Sequence, residues 1–110
     1  MGLTSKSPRK VALEALEIAR QSLPAYSHRF SPKKFTQHQL FALLVLKTHQ
    51  RKDYRGVIAL LEDMPELFED LELKSLPHFT TLQKASERLL EHAQAQQLLD
   101  STVEQYRKKA

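Results

Sequence analysis

The sequence predicts an all-α fold, a small bundle of about five helices in a single domain over residues 1–110, and three observations predict it. Two glycines in 110 residues are too few for the tight hairpins of a β-rich fold or for a glycine-lined phosphate loop, whose backbone positions only glycine occupies cheaply. Apolar residues recur at helical spacing in successive segments. Helix-start signals stand before those segments: Ser7-Pro8, Thr36 with Gln39, Asp53, and Thr80 with Gln83. A hydrophobic fraction of 41% against 27% charged residues is the balance of a chain that folds.

Ser7 as N-cap and Pro8 at the first helical position predict a helix from about residue 8 to Ser22, stopped before Pro24. Val11, Ala12, Leu13, Ala15, Leu16, Ile18 and Ala19 form its broad apolar face. Residues 24–35, with two prolines, read as a connection. Thr36 and Gln39 fit a capping box, and Phe35 and Leu40 have the spacing of a hydrophobic staple, so a helix is expected over about 37–51. Its centre, "LFALLVLK", is apolar nearly all round, as a central helix must be.

Asp53 is placed to cap a helix over about 54–63, with Tyr54, Val57, Ile58 and Leu61 on one face. Gly56 weakens that helix by about 1 kcal/mol relative to alanine, which suggests a close helix contact there. Tyr54 belongs to the core rather than to a base-stacking surface. Pro65 opens an acidic helical turn or two, "PELFEDLEL", followed by a loop containing Pro77. The last helical pattern begins at Thr80 or Thr81 and runs to Tyr106, with or without a break near His92. Arg107, Lys108 and Lys109 suit its C-terminal dipole.

The charge is unevenly distributed. Residues 1–55 carry eleven lysines and arginines against three acids, a balance of +8, and the remainder carries −4. Such asymmetry suits a phosphate backbone or another acidic partner. Within the last pattern Leu82, Ala85, Leu89 and Leu90 face inward, whereas Thr80, Thr81, Gln83, Lys84, Glu87, Arg88 and Glu91 do not. A helix at 54–63 followed by a helix with a polar first turn is what a helix-turn-helix needs, although the connection is longer than the usual turn. In that arrangement Gln pairs with adenine and Lys with guanine edges, while Thr hydroxyls and helix N–H groups take phosphate.

The stretch "YSHRFSPKKFTQHQLFALLVLKTHQRKDYRGVIALLEDMPELFEDLELKSLPHFTTLQKASERLL", residues 26–90, resembles the amino-terminal domain of bacterial insertion-sequence transposases of the DDE class. The landmarks are a hydrophobic helix ending before "DYRGVIALLED", then "PHFTTLQKASERL", in the family's order and spacing. In that family the domain precedes a ribonuclease-H-like catalytic domain whose three carboxylates hold two divalent metals. The resemblance therefore implies DNA binding at an element's terminal inverted repeats, without catalysis. It implies a fragment, a truncated reading frame or one half of a split element.

Other constellations are missing from the sequence. Asp53, Asp63, Asp70 and Asp100 stand singly in helical or capping contexts, and "DST" at 100–102 reads as surface. His28, His38, His49, His78 and His92 include no metal-binding pair at i, i+4, and no glycine elbow surrounds a serine. His78 and Phe79 are expected to fix the start of the last helix. No metal, cofactor or small-molecule substrate is expected, and the chain is read as non-enzymatic. It has no cysteine, and its longest apolar run, Leu40 to Leu46, is far short of the roughly 20 residues of a membrane span, so the sequence reading places it in the cytoplasm.

The expected DNA contacts are Thr80, Thr81, Gln83, Lys84 and Arg88, with Arg51, Lys52 and Arg55 as backbone-positioning cations and Lys33 and Lys34 as an arm. Duplex DNA is the expected partner, with a second copy of the chain or a full-length transposase beside it. The competing class is a helical interaction or dimerisation module, in which the apolar stripes of the first and last helices, or the acidic segment 62–72, meet another protomer.

Overall fold

The computed structural model describes residues 7–23, 35–91 and 93–108. Its helices are α1 (Pro8–Ser22), α2 (Gln37–His49), α3 (Tyr54–Asp63), α4 (Pro65–Asp70), α5 (Phe79–Leu90) and α6 (Ala93–Lys108). No strand occurs among the described residues, so the fold is the all-α bundle that the sequence predicts. The last helical pattern is two helices, α5 and α6, separated after Leu90.

Three of the four start signals form as the sequence prescribes. Ser7 Oγ accepts from the Lys10 N–H at 3.2 Å, with Pro8 first in α1. At α2, Thr36 Oγ1 accepts from the Gln39 N–H at 3.0 Å, and Gln39 Oε1 accepts from the Thr36 N–H at 2.9 Å. That is the complete capping box, and Phe35 and Leu40, the staple positions, both join the core. Asp53 Oδ1 accepts from the Gly56 N–H at 2.7 Å and starts α3. The fourth signal is corrected. The cap of α5 is His78, whose Nδ1 accepts from the Thr80 N–H at 3.2 Å, so Thr80 lies inside the helix and does not cap it. A neutral imidazole nitrogen is an acceptor like a capping oxygen, and starting the helix earlier gives Phe79 a place in the packing between α3 and α5.

Helix α2 is the centre of the bundle and packs on α1, α3, α5 and α6. Every residue from Leu40 to Leu46 is buried, which is why its sequence has no polar face to spare. Val11, Ala12, Ala15, Leu16 and Ala19 of α1 are buried, and small alanines allow α1 its extensive packing on α2. Leu13 does not share this face and is 44% exposed, because it lies roughly 100° around the helix from Ala12 at the stripe's centre. On α5 the inward residues are Leu82, Leu89 and also Ser86, whose hydroxyl donates to the Leu82 carbonyl at 2.6 Å. Burial of Ser86 is thereby satisfied within its own helix.

Two non-glycine residues adopt left-handed backbone, and both close a helix in the same way. Arg51 (φ 56°) follows α2: its N–H donates to the Thr48 carbonyl and the Lys52 N–H donates to the Lys47 carbonyl. Glu72 (φ 57°) follows α4, where its N–H donates to the Glu69 carbonyl and the Leu73 N–H to the Phe68 carbonyl. These paired bonds are Schellman motifs, in which glycine is the usual occupant of the left-handed position. The second turn has compensation in reach. Gln39 Nε2 donates to the carbonyls of Leu71 at 2.9 Å and Glu72 at 3.0 Å, so one side chain caps α2 and holds the end of α4.

Gly56 meets no neighbouring helix closely. A Cβ there would stand 3.0 Å from Lys52 Cβ and 3.1 Å from Asp53 Oδ1, so the tight approach is to the capping turn of its own helix.

Candidate functional site

Helix α5 presents the sequence-predicted contact residues on its outer side. Thr81, Gln83, Lys84 and Arg88 are exposed and Thr80 is half-buried. Lys84 and Arg88 form no ion pair among the described residues, although Glu87 and Glu91 share their side of the helix. With two cations and two acids alternating there, α5 alone supplies polar groups but little net field.

The field comes from the turn between α2 and α3. Lys47, Arg51, Lys52 and Arg55 lie within nine residues, with Asp53 as the one acid among them and that acid engaged as a cap. Lys47 Nζ sits 4.8 Å from the centroid of the half-buried Tyr54 ring, which orients this cation along the core's edge. Tyr54 packs against the core, as the sequence predicts. Arg51 and Lys52 are exposed and without an ion-pair partner among the described residues. A left-handed backbone costs a non-glycine residue roughly 1–2 kcal/mol. At Arg51 this cost accompanies an exposed cation on a turn closed by two backbone hydrogen bonds.

Arg55 joins the two regions. Its guanidinium lies 4.2 Å from the centroid of the Phe79 ring, the first residue of α5, and the Phe79 ring stacks on His78 at 4.6 Å. Helices α3 and α5 pack together, and this three-group stack brings the basic turn to the polar start of α5. Arg55, Ile58, Leu76, Pro77, His78 and Phe79 surround an open, mainly apolar groove of about 320 Å³. Leu76 on its rim is 38% exposed. The sequence reading did not place Phe79, Leu76 or Lys47 at the site. For Phe79 and Leu76 no local signal could have done so, because their meeting with Arg55 depends on α3 packing on α5, more than 20 residues along the chain; Lys47 was legible as part of the local basic cluster 47–55.

The connection from α3 to α5 holds α4, whereas a helix-turn-helix has a turn of about three or four residues. Helices α3 and α5 are in contact, and their connection differs from that motif's turn. Lys33 and Lys34, the expected arm, lie outside the described residues.

Two cations of α1 are paired with acids at the end of α4. Arg9 of α1 grips Asp70 of α4 in a two-bonded pair, Nε to Oδ2 at 2.6 Å and Nη2 to Oδ1 at 3.1 Å. The hydrogen bonds from Arg9, aided by its charge, hold the Asp70 carboxyl below the usual carboxylate range. Arg20 donates to Glu72 at 2.8 Å. Two acids of the 62–72 segment thus meet cations of their own chain, and the apolar stripe of α1 is largely covered by α2 and α4. Glu62, Asp63, Glu66 and Glu69 of that segment stay exposed, as do the basic turn and the polar side of α5, and the last two together form a surface able to bind phosphates and to offer amide, hydroxyl and ammonium groups to base edges.

Among the described residues no group of three or more His, Asp or Glu could hold a metal ion, and no helix is long and apolar enough to cross a membrane. No family model, curated protein or solved structure matches the chain.

Proposed function

We propose that this chain is a non-catalytic DNA-binding domain of the kind found in insertion-sequence transposases, acting on duplex DNA at terminal inverted repeats. The observation that carries this reading is the Arg55–Phe79 contact, which joins the segment carrying Arg51, Lys52 and Arg55 to the start of α5. In this reading Arg51, Lys52 and Arg55 hold phosphates and fix the register of the domain on the duplex. Gln83 and Lys84 read base edges in the major groove, Thr80 and Thr81 bind phosphate at the start of α5, and Arg88 extends the contact along the helix. The resemblance over residues 26–90 supports the assignment to transposition.

The test is a fluorescence-anisotropy titration of the chain with the inverted-repeat ends flanking its gene and with scrambled duplex, at two salt concentrations. The expected result is tighter binding to the repeat, with affinity falling as salt rises. A mass that rises with protein concentration, together with no salt-sensitive DNA affinity, would instead make the chain an interaction module.

A further inference from the structure

Helix α3 turns Arg55, Ala59, Glu62 and Asp63 to solvent, so its outer face is cationic at one end and acidic at the other. Exposed Lys52 stands just before the helix and exposed Glu66 just after it. None of these charges forms an ion pair among the described residues. The two ends cannot neutralise each other, because Arg55 and Asp63 are eight positions apart, roughly 12 Å along the axis. Their order is symmetric about Ala59: Arg55 lies four residues before it and Asp63 four after, and Lys52 lies seven before and Glu66 seven after. Reversing the direction of the helix therefore puts an acid wherever there was a cation.

We infer that a second copy of this chain docks antiparallel on α3, crossing it at Ala59, and covers the cations Lys52 and Arg55. The contact is isologous: Arg55 of each copy meets the acids at 62 and 63 of the other, and Lys52 meets the acid at 66. Ala59 at the crossing carries only a methyl group, which allows the axes to approach to the lower end of the usual 8–10 Å, roughly. Charge selects this occupant. A duplex matches the cationic end alone and is repelled by Glu62, Asp63 and Glu66 at the other, whereas an antiparallel copy matches both. Helix α3 has 10 residues and is about 15 Å long, less than a permanent interface needs, so the dimer is weak and salt-sensitive. Self-association follows from α3 itself; only its consequence, that dimer and DNA compete for Lys52 and Arg55, rests on the DNA-binding reading.

The experiment is sedimentation equilibrium of the full chain at low and high salt, for wild type, Lys52→Glu, Glu66→Lys and the double charge swap, after circular dichroism has shown equal helicity. Wild type is expected to dimerise at low salt and to dissociate as salt rises. Each single reversal acts twice across a symmetric contact and should weaken the dimer by roughly tenfold, and the double swap should restore it. A monomer at every concentration, a dimer indifferent to salt, or single reversals without effect overturns the inference. Single reversals that the double swap does not rescue overturn the antiparallel register. Adding inverted-repeat duplex should then convert wild-type dimer into a complex with one chain, and Glu66→Lys, which keeps the phosphate contacts, should bind that duplex at least as tightly as wild type. Duplex bound by an intact α3 dimer overturns the competition. Failure of every variant to bind duplex, with the dimer and its rescue observed, removes the DNA-binding reading and leaves the dimer standing.

Discussion

The guanidinium of Arg55 lies over the ring of Phe79, 4.2 Å from its centroid, and this contact joins the basic turn to the start of α5. Arginine can do this because its planar cation stacks on an aromatic face while its edge remains free for hydrogen bonds; lysine offers only a point charge. Arg55→Ala is therefore expected to weaken binding to every duplex and to reduce the slope of log affinity against log salt by about 0.9, the loss of one phosphate contact. Arg55→Lys should keep the salt slope and still bind more weakly than wild type, because the charge survives and its positioning does not. Titrations over a salt series separate the two.

Arg51 carries a second prediction, because stability and binding should move in opposite directions. Glycine suits the left-handed position that ends α2, so Arg51→Gly is expected to stabilise the fold by up to about 1 kcal/mol. The same substitution removes an exposed cation and should lower duplex affinity. Urea unfolding and DNA titration on one preparation test both halves. A destabilised Arg51→Gly would refute the proposal that arginine is kept there at a cost.

Gln83 and Lys84 are assigned to base edges, so their loss should be selective. Each alanine substitution is expected to cost about 1–3 kcal/mol against the preferred repeat and much less against scrambled duplex. Arg88→Ala should weaken both alike. Unchanged affinity of Lys84→Ala and Arg88→Ala for every duplex would remove α5 from the interface.

Gln39 makes a structural prediction that distinguishes a simple cap from a bridge. Glutamate and glutamine are interchangeable in a capping box, since either supplies the accepting oxygen. Here the amide nitrogen also serves the Leu71 and Glu72 carbonyls. Gln39→Glu should therefore destabilise the fold by about 1–3 kcal/mol, because a carboxylate would face two carbonyl oxygens. A Gln39→Glu protein as stable as wild type would show that the bridge contributes nothing.

The Arg9–Asp70 pair predicts a pH dependence whose sign follows from the depressed carboxyl. A group held below its ordinary value binds its proton less readily when folded, so its stabilising effect is complete above that value and is lost as pH falls through the folded value. For an aspartate the ordinary value is about 3.9. Wild type should exceed Asp70→Asn in stability at neutral pH, and the difference should shrink below about pH 4. Chemical denaturation at several pH values checks this, and a difference that does not change with pH would contradict it.

Local chemistry made most of the helix boundaries readable in the chain itself. Ser7-Pro8, Thr36 with Gln39, and Asp53 act on N–H groups three residues away, so their partners were already visible in sequence. The apolar run of α2 likewise announced a central helix, because no face of it could remain in water. At α5 the sequence placed His78 and Phe79 at the helix start, but the cap itself was assigned to Thr80: imidazole is an uncommon cap, and the Thr80–Gln83 pattern offered a more familiar signal two residues too late.

Composition and periodicity determined that this protein is an α-helical bundle, where most of its helices begin, and which residues of α5 turn away from the core. Only the tertiary structure decided which charges remain available. It paired Arg9 with Asp70 and Arg20 with Glu72, left Arg51 and Lys52 displayed, and laid Arg55 on Phe79. The physical reason is range. Caps and helical faces arise from interactions within a few residues, whereas ion pairs and ring contacts depend on how whole helices cross, and helix crossing is set by the packing of the entire core.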